Sequence, residues 1–317
     1  MREEQVLVQS GVVQLAGTLY LPDSARPCPV LIVLHAASGG ERGFFAYRHL
    51  AETLPAQGIG MLLYDRRGSG ASSGDWATTS FEEQAADCLA AIASLSQRDD
   101  VLPDRFALWG ISQGGWIAPI VAAQSRAVAA MAIISGAGVT PAEQMDYAAA
   151  YTLREAGFGD AIVAEALALR ERVNAYYRGE SGYAEVAAAL GAAESAPWFA
   201  YSYIGPASEL PADVTTDKWF YEFAYDALAI YPRVQTPALF VWGAQDRWVP
   251  AAESMRRFCA ATAHLPDRMF AQLPGADHLR MAIASAHEDM RGAYSGTPEI
   301  DPAYTRLLIA WLREHLL

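Results

Sequence analysis

The sequence predicts an α/β protein, a mostly parallel sheet flanked by helices and interrupted by an inserted helical segment. Three observations carry that expectation. Continuously apolar runs at residues 30–34, 59–64, 106–109 and 128–134 alternate with stretches of helical spacing, the rhythm of right-handed strand–helix–strand crossovers. The pentapeptide Gly110-Ile111-Ser112-Gln113-Gly114 sits directly behind one of those runs and ahead of a helix-like stretch. The rhythm breaks near Gly138 and resumes at residues 238–242.

Each element follows from its local pattern. Residues 6–8 and 12–20 read as two strands around a Ser10-Gly11 turn, a hairpin at a sheet edge. Residues 30–34 are β-branched and aliphatic throughout, the mark of a strand covered on both faces. Residues 45–57 carry helical spacing with Gly58 as the stop. Residues 59–64 form the next buried strand, and the loop Asp65-Arg66-Arg67-Gly68-Ser69-Gly70 follows it. In that loop Asp65 and Arg67 are expected to pair across the turn. Phe81, Ala85, Cys88, Leu89 and Ile92 recur at helical spacing over 81–96. Residues 139–234 are alanine-rich and helical, with a block of aromatics between Trp198 and Tyr231. Strands near 238–242 and 268–273 and an amphipathic helix at 303–316 close the chain.

Bulk composition removes several classes of function. The chain has 317 residues, is 52% hydrophobic and 19% charged, and carries a net charge of −13. Lys218 is its one lysine. No basic patch is visible, so neither nucleic acid nor an anionic membrane is an expected partner. Cys28, Cys88 and Cys259 are odd in number and widely spaced, without metal-ligand or disulfide spacing. No signal-peptide core or membrane-length apolar run occurs, and a reduced, cytoplasmic setting is expected. No His-Glu-x-x-His, paired Cys-x-x-Cys, dinucleotide or Walker pattern is present. Neither a metal nor an organic cofactor is expected.

The turn around Ser112 is the chemical focus. A strand entering a helix through Gly-x-Ser-x-Gly turns so tightly that the serine oxygen stands clear of the sheet. The next backbone N–H, that of Gln113, then points to the same place. Serine is a weak nucleophile unless a base and an orienting carboxylate accompany it. Catalytic side chains of parallel sheets gather beyond the carboxyl ends of strands. Asp246 follows the run 238–242, and His278 follows the run 269–273. Asp277 and Asp267 are alternatives for the carboxylate. His49, His264, His287 and His315 fit the base position less well than His278. His35-Ala36-Ala37-Ser38-Gly39-Gly40 lies after residues 30–34, small enough for close backbone approach, and either Ala36 or Ala37 is placed to give a second N–H to an oxyanion.

With those pieces in order, the chain resembles an α/β-hydrolase of the esterase and serine-aminopeptidase-like group. The matching segments are residues 35–40, 64–70, 110–115, 243–246 and 275–278, spanning nearly the whole core. The resemblance implies an α/β-hydrolase core at residues 1–138 and 235–317 and a helical cap at 139–234. It implies Ser112 as nucleophile, His278 as general base and then acid, and Asp246 as the carboxylate holding the imidazole. Alanines stand where lipase-type loops carry glycines after the histidine. The expected activity is cofactor-free cleavage of small to medium, largely apolar carboxylic esters through an acyl-enzyme. A serine aminopeptidase or thioesterase shares the same triad, and a non-catalytic ligand-binding protein shares the scaffold. His35, Trp116, Trp219 and Trp248 are expected around the substrate pocket. A peptide amine would need carboxylates from the insert, where Glu143, Asp146, Glu155 and Glu209 are available. A small-molecule ester is the expected partner, and a homodimer is compatible with the sequence.

Overall fold

The structure, a computed structural model, describes residues 1–24, 26–280, 286–288, 294–296 and 298–317. Its sheet begins with the antiparallel hairpin β1 (Arg2–Ser10) and β2 (Val13–Leu21), which turns at Gly11 with φ 56°. The remaining strands are β3 (Cys28–Leu34), β4 (Gly60–Tyr64), β5 (Val101–Ile111), β6 (Val128–Ile134), β7 (Ala238–Gly243) and β8 (Arg268–Leu273). They lie in the order β1-β2-β4-β3-β5-β6-β7-β8. From β4 to β8 every neighbouring pair is parallel. All the carboxyl ends of these strands therefore open on one edge, where sites of such sheets are built.

Two cores sandwich the sheet, and strand periodicity sorts residues between them. In β3, Val30, Ile32 and Leu34 face α2 (Phe81–Leu95) and α3 (Gly114–Ala122), while Leu31 and Val33 face the opposite layer. That second layer is α1 (Arg48–Thr53) and α9 (Pro302–Leu316), with Leu50, Tyr304, Leu308 and Trp311 fully covered. Each aliphatic side chain so buried stabilises the fold by roughly 1.5–3 kcal/mol. Helix α2 starts where its sequence says it should. Ser80 Oγ accepts the Glu83 N–H at 3.2 Å and Glu83 accepts the Ser80 N–H at 2.8 Å, a reciprocal cap.

Two local expectations need correction. Residues 45–57 are not one helix: a 3₁₀ turn at Phe45–Tyr47, α1, and a second 3₁₀ turn at Pro55–Gln57 replace it. Pro55 has no N–H to continue the α1 ladder, so the helix ends before it. Nor do Asp65 and Arg67 pair. Asp65 accepts the Arg42 and Ala71 N–H groups at 2.7 and 2.9 Å and pairs with the Arg42 guanidinium at 3.1 Å. Arg67 reaches instead to Asp87 on α2, with two bonds of 2.6 and 2.7 Å. The turn is thus tied to two different neighbours, not closed on itself.

Between β6 and β7 the chain leaves the sheet. It forms α4 (Pro141–Glu155), α5 (Asp160–Tyr177), α6 (Tyr183–Ala193) and the short α7 (Lys218–Glu222), with 3₁₀ turns between the last two. This insert has its own apolar cluster, including Leu153, Leu169, Val186, Leu190, Trp198 and Phe223. No helix among the described residues is long and apolar enough to cross a membrane. Behind the inserted segment, α8 (Ala251–Ala261) returns Phe258 to the first core.

Burial of two histidines gives the fold an acid-side liability. His35, at the end of β3, donates Nε2–H to the Tyr64 carbonyl at 2.6 Å and is 3% exposed. Burial, and then the charge of Arg66, lower its pKa from 6.5 to about 3, and burial with Arg280 does the same to His49. An unfolded histidine takes up a proton below about 6.5, whereas these two stay neutral in the fold. Their stabilisation is complete above that pH and is lost as pH falls toward 3. Together they should lower unfolding free energy by about 2.5 kcal/mol between pH 7 and 5.5. In urea titrations at the two pH values, His35→Asn should show about half that loss.

Candidate active site

Ser112 stands at the carboxyl end of β5 with φ 51°, a left-handed conformation that costs a non-glycine residue about 1–3 kcal/mol. Its neighbours make the conformation sterically accessible. A Cβ on Gly110 would collide with the Gly114 carbonyl, and one on Gly114 with the Leu34 carbonyl. Ser112 N–H is secured to the Ile134 carbonyl at 2.8 Å, so the turn is anchored to β6. The side chain faces a cavity of about 400 Å³.

His278 lines the same cavity. Its Nδ1 lies 2.8 Å from Asp246 Oδ2. Asp246, in the loop after β7, is 4% exposed, and its other oxygen accepts the N–H groups of Trp248 and Val249 at 2.8 and 2.9 Å. The carboxylate is therefore fixed on both oxygens, and the imidazole is oriented by it. Gly243 makes this approach possible, because a Cβ there would collide with the carbonyls of Ala276 and Asp277. Ser135, itself at φ 49°, donates its hydroxyl to the His278 carbonyl at 2.6 Å and secures the loop from below. Of the other carboxylates, Asp267 pairs with His315 at 2.8 Å.

The loop after β3 lies across from Ser112, with Ala36, Ala37 and Ser38 lining the cavity. Its two alanines are not equivalent. Ala36 N–H donates to the Tyr47 hydroxyl at 3.0 Å, and that hydroxyl donates onward to the Gly39 carbonyl at 3.0 Å. Burial raises the Tyr47 pKa, so its proton stays in place. Among the described residues the N–H groups of Ala37 and Gln113 meet no acceptor. Behind the loop, Arg66 donates to the Ala36 carbonyl at 3.0 Å and to the Ala37 carbonyl at 3.1 and 3.2 Å. Arg66 thus holds the loop from behind.

Phe44, Phe45, Met145, Trp248 and Leu279 form the apolar wall, with Gln144 as a polar group. Three residues expected in the pocket lie elsewhere. His35 is turned under the sheet edge onto Tyr64. Trp116 is a core residue of α3, its indole N–H on the Ala137 carbonyl at 2.8 Å. Trp219 lines a second cavity of about 280 Å³ within the insert, which adjoins the first at Met145, and it donates to Asn174 at 3.0 Å. The wall residues Phe44, Phe45, Gln144 and Met145 went unread, because in sequence they look like ordinary helix and loop positions. Among the described residues no three His, Cys, Asp or Glu side chains converge as a metal would require.

The insert also reaches the turn around Ser112 directly. Gln113 Nε2 donates to Glu222 of α7 at 2.8 Å, and Glu222 pairs with Lys218. Burial raises the Glu222 pKa and lowers that of Lys218, each pulled back by the other's charge.

A sequence profile described as the alpha/beta hydrolase family matches residues 31–293. The quorum-quenching protein AidA of Acinetobacter baumannii is 26% identical over 273 residues, covering 83% of each chain. An esterase of Pyrococcus furiosus superposes with a TM-score of 0.63 at 15% identity, over 100% of this chain and 92% of that one. The proline iminopeptidase of Mycobacterium smegmatis gives a TM-score of 0.60 at 18% identity, over 98% of both. With its sheet order, its serine turn and a profile match spanning most of its length, the chain belongs to the alpha/beta hydrolase family.

Proposed function

We propose that the protein is a serine hydrolase of carboxylic esters, with Ser112 as nucleophile, His278 as base and Asp246 as its orienting carboxylate. The observation that carries this reading is the shared cavity: Ser112, at φ 51°, and His278, held at 2.8 Å by buried Asp246, line one space. With Nδ1–H donated to Asp246, the Nε2 lone pair of His278 takes the Ser112 proton as the oxygen attacks the carbonyl carbon. The tetrahedral oxyanion is stabilised by the N–H groups of Gln113 and Ala37. His278 then returns the proton to the departing alcohol, and water resolves the acyl-enzyme by the same steps in reverse roles.

The wall favours an apolar ester. Phe44, Phe45, Met145, Trp248 and Leu279 offer no charge, and apolar walls with few polar groups suit hydrophobic ligands. An aminopeptidase would need an anionic group for the substrate amine. Of the four insert carboxylates weighed for that role, Glu143 pairs with Arg257 at 3.1 Å, Asp146 with Arg170 at 2.6 Å and Glu155 with Arg247 at 3.8 Å, while Glu209 lines a different cavity. Among the described lining residues there is no Asp or Glu. Residues 139–234 act as a cap, contributing Gln144 and Met145 to the wall while Trp219 serves their own packing.

Three outcomes test this reading with purified protein and p-nitrophenyl esters. Ser112→Ala should leave the far-ultraviolet circular dichroism unchanged and reduce kcat by about 10⁴-fold or more; unchanged turnover would sink the mechanism. Asp246→Asn should lower kcat by about 10³-fold or more, since the imidazole loses the partner that fixes its tautomer. Asp277→Asn should fall far short of that, and a reversed ranking would move the carboxylate role to Asp277. Trp248→Ala removes an indole from the wall but leaves its backbone N–H on Asp246, so the octanoate-to-butyrate ratio of kcat/KM should rise relative to the unsubstituted enzyme with kcat little changed.

A further inference from the structure

Both N–H groups assigned to the oxyanion sit on backbone that is held by buried side chains, and those side chains are linked through Trp76 and Lys218. The Ala36 carbonyl and the Ala37 N–H belong to one planar trans peptide and point in opposite directions. Arg66 grips that carbonyl at 3.0 Å from behind, which leaves the Ala37 N–H on the cavity side. Arg66 is 5% exposed, and its guanidinium carbon lies 3.1 Å from the centre of the Trp76 ring. Gly40 leaves room for it, since a Cβ there would come within 2.8 Å of the Arg66 head group.

The same indole carries the insert's cation. Lys218 Nζ is 4.2 Å from the Trp76 ring centre, donates to the Thr79 carbonyl and pairs with Glu222. Glu222, 8% exposed, accepts from the Gln113 side chain at 2.8 Å. Gln113 is 3% exposed, and its Nε2–H is spent on this one bond. A continuous set of contacts therefore runs from the loop after β4, across Trp76, into α7 and back to the residue after Ser112. The chain's one lysine is placed in this set.

We propose that Arg66 and Glu222 are positioning residues for the oxyanion: Arg66 aims the Ala37 N–H, Glu222 steadies Gln113, and α7 links the two. The inference rests on the hydrolase reading above and extends it, because it makes the seating of the insert a condition for transition-state stabilisation as well as for substrate binding. Arg66→Lys keeps the charge but cannot fork across two carbonyls. The double variant Lys218→Met/Glu222→Leu replaces an ion pair by apolar side chains of similar length, an exchange that is often neutral for stability.

Active sites are titrated with a fluorophosphonate, so that kcat refers to folded enzyme, and p-nitrophenyl butyrate is the substrate. Each variant should lose about 10-fold to 100-fold in kcat per titrated site, with KM within about twofold, since a misaimed donor fails chiefly in the transition state. The inhibition constant of a phenylboronic acid, a tetrahedral adduct former, should rise with the loss in kcat/KM. A purely structural role would lower the titrated fraction and leave both per-site quantities alone. Per-site kcat and boronate affinity unchanged in Arg66→Lys and the double variant would overturn the proposal. If either variant fails to fold, Gln113→Leu, which keeps its N–H and loses only the side-chain anchor, decides the α7 arm by the same two readouts. Ser112-independent turnover in the unsubstituted enzyme would instead overturn the hydrolase reading, and this inference with it.

Discussion

The carboxyl edge of the sheet is organised by one backbone constraint, the left-handed turn at Ser112. Strand β5 runs into it and α3 runs out of it within three residues. The strain is local, but what supports it is not. The Leu34 carbonyl at the end of β3 lies where a side chain on Gly114 would stand, and the Ile134 carbonyl of β6 holds the Ser112 N–H. The serine is thus wedged between the two strands that flank β5, and its height above the sheet is set by their register. A residue held in a sparsely populated conformation persists only when its surroundings over-determine it. Here three parallel strands do so.

The same edge recruits its other groups through close backbone approach. Gly243 lets the end of β7 touch residues 276 and 277, so Asp246 and His278 meet although they leave different strands. Tyr47 claims the Ala36 N–H and thereby separates two alanines that the sequence leaves equivalent. The difference between them is one phenol, supplied from a 3₁₀ turn eleven residues on.

Legibility in the sequence follows range. The buried strands were plain from continuous apolar runs, and β3, β4 and β7 are buried along their whole length. The α2 helix was legible from the apolar spacing that begins at Phe81, whereas its reciprocal cap between Ser80 and Glu83 emerged only in the structure. Ser112, Asp246 and His278 could be singled out as candidates because each follows a strand end at short, countable spacing. What stayed hidden depends on partners far away in the chain. Arg66 was legible as a loop cation but not as the holder of Ala36, thirty residues earlier. Nothing near Glu222 announces Gln113, 109 residues back. Aromatic residues misled for a related reason: Trp116 and Trp219 have the composition of a pocket wall but fill the core and the insert, while Phe44 and Phe45 do the lining from the start of the 3₁₀ turn before α1. Composition says that an aromatic must be covered; only packing says by what.

The ion pair of α7 poses a question of economy. A buried Lys–Glu pair is weak evidence for stability, because desolvation consumes much of the attraction and apolar side chains would hold a short helix as well. Helix α7 has five residues and is too short to define its own orientation. Apolar contacts are tolerant of rotation and sliding, whereas Lys218 must meet a carbonyl, a carboxylate and an aromatic face at once. Glu222 must meet both Lys218 and Gln113. Directional bonds therefore give this helix an angle as well as a location. Arg66 works under the same rule against Trp76, where its fork fits two successive carbonyls and a shorter or rounder cation would fit one. Charge is used here for aim: the groups are buried where they stabilise least and define geometry most.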